Sequence, residues 1–155
     1  MNTLRYSEKL SGLWAVLCCL SFILLWGCDH RPRLVIEGGT VPTFKVEGRG
    51  SIQAISVYGP DVQNPDTGKG GASPMKIYWQ ITPTEDYDVE RLAQSGGVVY
   101  GQVPTGFKQV LPENGAPPRA LVENGHLTFS LRLKAGSGVG AGFRIHNGRA
   151  VIDGS

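Results

Sequence analysis

From Leu34 to the C-terminus, apolar and polar residues alternate in short runs that stop at Gly, Pro or Asn. A period of two is the signature of a strand with one wet face. The clearest case is Met75 to Ile81. Met75, Ile77, Trp79 and Ile81 fall on one face, and Lys76, Tyr78 and Gln80 fall on the other. Leu127, Phe129, Leu131 and Leu133 make a second inward row within a strand from His126 to Lys134. Shorter strands are expected at Leu34–Ile36, Thr43–Val46, Ile52–Tyr58, Val98–Val103, Phe107–Leu111, Arg119–Glu123, Ala141–His146 and Arg149–Asp153. Asn124-Gly125 and Asn147-Gly148 each predict a two-residue hairpin, because both central positions of such a turn need positive φ. The one helix expected starts at Thr82-Pro83-Thr84-Glu85, a cap followed by proline and an acid, and stops at Ser95-Gly96-Gly97. Long loops follow Gly59-Pro60 and span Pro112–Pro118.

A succession of short strands with no long helix predicts an all-β domain. The first expectation is an immunoglobulin-like antiparallel β-sandwich, and a small β-barrel is the second. No cysteine pair brackets a tryptophan, so the antibody pattern itself is absent. The 155 residues suit one such domain, and 22 Gly with 10 Pro suit its many turns. Fifteen basic against thirteen acidic side chains leave +2, which gives no electrostatic footprint for nucleic acid.

The N-terminus is organised differently. Arg5 and Lys9 precede an apolar run, and no charge falls in the 19 residues from 10 to 28. At about 1.5 Å per residue a helix of this length reaches roughly 28 Å, enough for a bilayer core. Two readings are open: a cleaved export signal and an uncleaved anchor. Leu25-Trp26-Gly27-Cys28 resembles the cleavage box of bacterial lipoproteins: an aliphatic residue, a variable one, a small one, then cysteine. The resemblance covers residues 1–31 and departs from the family at Trp26, where a smaller residue is usual. It implies a signal peptide 1–27, cleavage before Cys28, and a diacylglycerol on the Cys28 thiol with an acyl group on the new amine. A tether 28–33 and a β domain 34–155 would follow. Asp29 resembles the inner-membrane retention signal of enteric lipoproteins. The implied address is the bacterial envelope, facing the periplasm, with the inner membrane favoured over the outer. Removal of 1–27 takes away Arg5, Lys9 and Glu8, so the remaining chain carries +1. The other cysteines, Cys18 and Cys19, lie inside the leader, so the domain must fold without a disulfide.

The chemistry-bearing residues are sparse. His126 and His146 each sit beside an Asn-Gly turn, and no HxH or HxxxH pair offers metal-ligand spacing. Glu85, Asp86, Asp88 and Glu90 form an acidic group, and Asp61, Asn64 and Asp66 another. Neither has the DxDxDG arrangement of a calcium loop. GxSxG and GxxxxGK[ST] are absent. No cofactor is implied. The stretch Tyr100-Gly101-Gln102-Val103-Pro104-Thr105-Gly106-Phe107 crosses from a strand through a Pro-Gly turn to an aromatic. Together with the outward Tyr78, its Tyr100 and Phe107 are the candidate contacts for a ligand or partner. The sequence thus predicts a lipid-tethered, non-enzymatic binding or scaffold module, its partner an envelope protein or glycan. A small envelope hydrolase, or a subunit of an envelope complex reached through an exposed edge strand, stands beside it.

Overall fold

The computed structural model describes residues 32–60, 75–136 and 138–153, all within one compact unit, Arg31–Ser155. The leader, with Cys28 and Asp29, and the 61–74 segment lie outside the described residues. Nine strands are described: β1 (Arg33–Gly38), β2 (Pro42–Glu47), β3 (Ile52–Pro60), β4 (Met75–Pro83), β5 (Val98–Val99), β6 (Phe107–Leu111), β7 (Leu127–Leu133), β8 (Gly138–His146) and β9 (Arg149–Ile152). A six-residue helix, α1 (Val89–Gln94), and a 3-10 turn at Glu113–Gly115 complete the described elements. No helix among the described residues is long and apolar enough to cross a membrane.

The strands form two antiparallel sheets, in the orders β1-β2-β5 and β6-β4-β3-β7-β8-β9. Each sheet ends on two different edge strands, so neither closes on itself, and the barrel expectation is corrected. Both sheets contribute to one buried cluster. Ile36, Phe44, Val46 and Val98 of the smaller sheet join Ile55, Val57, Trp79, Phe129 and Phe143 of the larger. The expected inward row of β7 is all buried, as are Phe143 and Ile145 of β8.

Four local expectations are corrected. The helix starts at Val89, not at Thr82. Thr82 and Pro83 still belong to β4, where they pair with Lys108 and Phe107. Asp88 is the cap, its Oδ1 accepting from the Arg91 amide at 2.7 Å. Val98–Val103 forms a strand for only two residues, because Tyr100 and Gly101 turn the chain. Arg119–Glu123 is not a strand paired with β7. β7 already has β3 on one side and β8 on the other, so it offers no free edge. The segment instead meets β8 through a parallel bridge from Glu123 to Ile145. Asn147-Gly148 does form its hairpin, with φ of 50° and 69° and His146 opposite Arg149.

The fourth correction concerns Tyr78, which is 1% exposed. Val57 pairs with Trp79 while the next residue, Tyr58, pairs with Ile77, so Tyr78 is the extra residue of a bulge. A bulge breaks the period-two alternation, which is why neighbouring Tyr78 and Trp79 are both buried. The Tyr78 ring lies over Gly59, where an added Cβ would sit 2.5 Å from the ring.

Candidate functional site

The three aromatic residues expected at a contact surface are interior. Tyr100 packs edge-on against Trp79, with ring centroids 5.6 Å apart, and its hydroxyl donates to the Arg119 carbonyl at 2.7 Å. Burial pushes its phenol well above the ordinary tyrosine value, and the nearby Tyr78 adds to the shift. The Tyr78 hydroxyl donates to the Pro60 carbonyl at 2.7 Å, and the Arg119 guanidinium stands 5.7 Å from its ring centre. Phe107 packs against Tyr87 at 4.8 Å. These residues fasten the segment around Arg119 and α1 onto the larger sheet, so their placement as surface contacts is corrected.

The middle of the same stretch is different. A cleft of about 300 Å³ opens between the C-terminal end of α1, β5 and the turn at 102–105. Its walls include Tyr87, Ser95, Val99, Gln102, Val103 and Thr105. The turn is held by its own backbone: the Gln102 amide donates to the Val99 carbonyl at 3.0 Å, and the Phe107 amide to the Pro104 carbonyl at 3.1 Å. Both the amide and the hydroxyl of Thr84 donate to the Gly106 carbonyl, at 2.9 and 3.1 Å. Tyr87 is fixed as one wall by Phe107 and by the Arg91 guanidinium, 4.4 Å from its ring centre. Glu85 in turn holds Arg91 at 2.8 Å. Sequence reasoning singled out this stretch by its aromatic ends, while the accessible part is its polar centre, Gln102 to Thr105.

A second polar group lies where β7, β8 and β9 meet. Asp153 accepts from Arg144 through Nε at 2.7 Å and Nη2 at 2.6 Å. Its other oxygen, Oδ2, stands 2.7 Å from Nδ1 of His126. That approach is an ion-pair distance without a well-directed hydrogen bond, so Oδ2 lacks a proper donor. Gly142 leaves the room for this pair, since a Cβ there would fall 3.1 Å from Oδ2 and 3.2 Å from the His126 ring. No hydroxyl or thiol among the described residues hydrogen-bonds to His126, so the geometry supplies a carboxylate–imidazole contact rather than an activated nucleophile. His146 is held separately, its Nδ1 2.9 Å from Asn124 Oδ1.

The acidic group around α1 is dispersed. Glu85 pairs with Arg91, Asp86 with Lys134 at 2.9 Å, and Glu90 with Arg49 at 3.1 Å, while Asp88 caps the helix. Lys134, by hydrogen bond first and charge second, holds the Asp86 carboxyl below its ordinary range. Among the described residues no three His, Cys, Asp or Glu side chains gather as a metal site would require. No family model, curated protein or solved structure matches the chain.

Proposed function

We propose that the protein is a lipid-anchored component of the bacterial envelope whose β domain is a non-enzymatic binding module. The observation that carries the reading is Leu25-Trp26-Gly27-Cys28 at the end of an uncharged apolar run, with no later cysteine in the chain. Two or three acyl chains on Cys28 would hold the domain stably, since each buried CH₂ contributes about 0.8 kcal/mol. Binding rather than catalysis is supported by the pairing of the carboxylates around α1 and at the end of β9: Glu85, Asp86, Glu90 and Asp153 each meet a cation, and Asp88 caps the helix.

The finer fold reading is an immunoglobulin-like sandwich. The pairing β1-β2-β5 follows the A-B-E half of that fold, and β4-β3-β7-β8 follows the C′-C-F-G half. In this correspondence β6 and β9 extend the second sheet at its two edges.

Intact mass of the chain extracted from membranes tests the anchor. The expected species begins at Cys28 and carries diacylglyceryl and acyl groups, and Cys28→Ala abolishes both acylation and cleavage. A chain that keeps its leader with a bare Cys28 thiol overturns the proposal in favour of a spanning anchor. Membrane fractionation tests Asp29: the parent sediments with the inner membrane, and Asp29→Ser moves it to the outer.

A further inference from the structure

We propose that the cleft between α1, β5 and the 102–105 turn binds a neutral saccharide unit, an inference that rests on the binding-module reading and names its ligand class. Its volume, about 300 Å³, is at the small end of ligand sites, the size for one or two sugar rings rather than a large cofactor. Its walls carry no charged side chain. An ionic ligand would lose hydration there without a counter-charge. The walls are mixed in the way a sugar ring is mixed. Val99, Val103 and Pro104 offer apolar surface to a C–H face, while Ser95, Gln102 and Thr105 offer hydrogen-bonding groups to hydroxyls.

The hydrogen-bonding capacity is unspent. The Gln102 amide group and the Thr105 hydroxyl have no side-chain partner among the described residues. Ser95 gives its proton to the Leu92 carbonyl at 2.8 Å, which leaves its oxygen as an acceptor. A peptide strand is the other ligand that an edge strand such as β5 would invite. The Val99 carbonyl is already taken by the Gln102 amide, so the turn caps the two-residue edge and removes an acceptor that strand addition would use. Recognition then falls to side chains. The backbone bonds across the turn, and Tyr87 clamped between Arg91 and Phe107, set the walls before any ligand arrives.

The test is calorimetric titration of the full chain in a zwitterionic, sugar-free detergent. The probes are N,N′-diacetylchitobiose and cellobiose as neutral disaccharides, with digalacturonate as the anionic control. Saturable binding of at least one neutral probe is expected, with digalacturonate about tenfold weaker or more. Gln102→Ala and Thr105→Ala each weaken binding by up to about tenfold, the cost of one lost hydrogen bond, with parental melting temperatures. Arg132→Ala, outside the cleft, binds as the parent does. No saturation by either neutral probe overturns the proposal, and so does binding unchanged in both cleft variants. Cys28→Ala protein binds the same sugars as the parent, so loss of sugar binding in an acylated chain condemns the ligand class alone. Sugar binding by a chain that is never acylated condemns the anchor alone.

Discussion

Phe44 of β2 stacks on Phe129 of β7 with ring centroids 4.3 Å apart and planes 21° from parallel. Phe143 of β8 meets Phe44 edge-on at 5.6 Å. These rings join the two sheets, because Phe44 belongs to the smaller and its two partners to the larger. Phe44→Ala removes the central ring of a fully buried group and is expected to cost about 3–5 kcal/mol. Phe44→Leu keeps much of the volume and is expected to cost clearly less. Urea unfolding of the two variants checks the order. Equal stabilities would mean that the rings do not carry the contact between sheets.

Trp79 is wholly buried and its indole Nε1 donates to Gln109 Oε1 at 3.2 Å. Gln109 spends its own amide on the Pro112 and Ala116 carbonyls, at 2.7 and 2.8 Å. Trp79 therefore anchors both the core and the loop after β6. Trp79→Ala is expected to cost about 3–5 kcal/mol. Gln109→Ala leaves the buried indole without its acceptor and frees the loop, at about 1–3 kcal/mol. Denaturant midpoints measure both. A Trp79→Ala midpoint equal to the parent's would place the indole outside the core.

Much of this fold was legible wherever a strand obeys simple alternation. β7 is the model case: Leu127, Phe129, Leu131 and Leu133 all point inward, as their spacing predicts. Reading failed at Tyr78 because a single extra residue in a bulge reverses the face of everything beyond it. It failed at Asn124-Gly125 for a reason no local pattern contains. The same dipeptide makes a hairpin at Asn147-Gly148 because β8 has a free edge for β9, whereas β7 is paired on both sides. The cleft was half legible. The Pro-Gly turn was visible in Tyr100–Phe107, but Tyr87 and Ser95 come to it from the chain on either side of α1, a proximity that only folding creates.

Gly96 and Gly97 both end α1 with positive φ, at 91° and 94°, but their surroundings differ. A Cβ on Gly96 meets nothing within 4 Å, while one on Gly97 would fall 2.5 Å from the Phe44 carbonyl oxygen. Gly96→Ala carries only the backbone cost of a left-handed residue, about 1–2 kcal/mol. Gly97→Ala carries that cost and also pushes β2 away. It is expected to be the more destabilising of the two, by a margin that thermal melts resolve. The reverse order would mean that β5 does not lie so tightly against β2.

Asp86 titrates below an ordinary aspartate because Lys134 bonds to its ionised form. A folded value below the unfolded one means that the pair favours folding above the unfolded value. The contribution fades as pH falls through the folded value. Asp86 is fully open to solvent, so the consequence to look for is the titration itself. Carbon-detected NMR of the side-chain carboxyl is expected to give a lowered midpoint, and Lys134→Met returns it towards the ordinary value. A midpoint unmoved by Lys134→Met would assign the shift to another group.

Asp153 fixes the end of the chain's last described strand. Its amide donates to the Gly142 carbonyl at 2.9 Å, and its carboxylate holds Arg144 by two nitrogens. The group is half-buried beside an Arg144 that is about half exposed, so solvent screens part of the attraction. Asp153→Asn keeps the shape and removes the charge, and is expected to cost about 1 kcal/mol after that screening. Asp153→Ala also strips the contact with His126 and leaves space beside Gly142, so it should cost more. Because β9 is an edge strand whose only strand pairing is with β8, the loss is expected to be local. Amide exchange should quicken at Val151 and Ile152 and stay unchanged at Phe129 and Leu131. Uniform quickening across both strands would instead make Asp153 part of the global fold, with the Arg144 pair bracing the larger sheet as a whole.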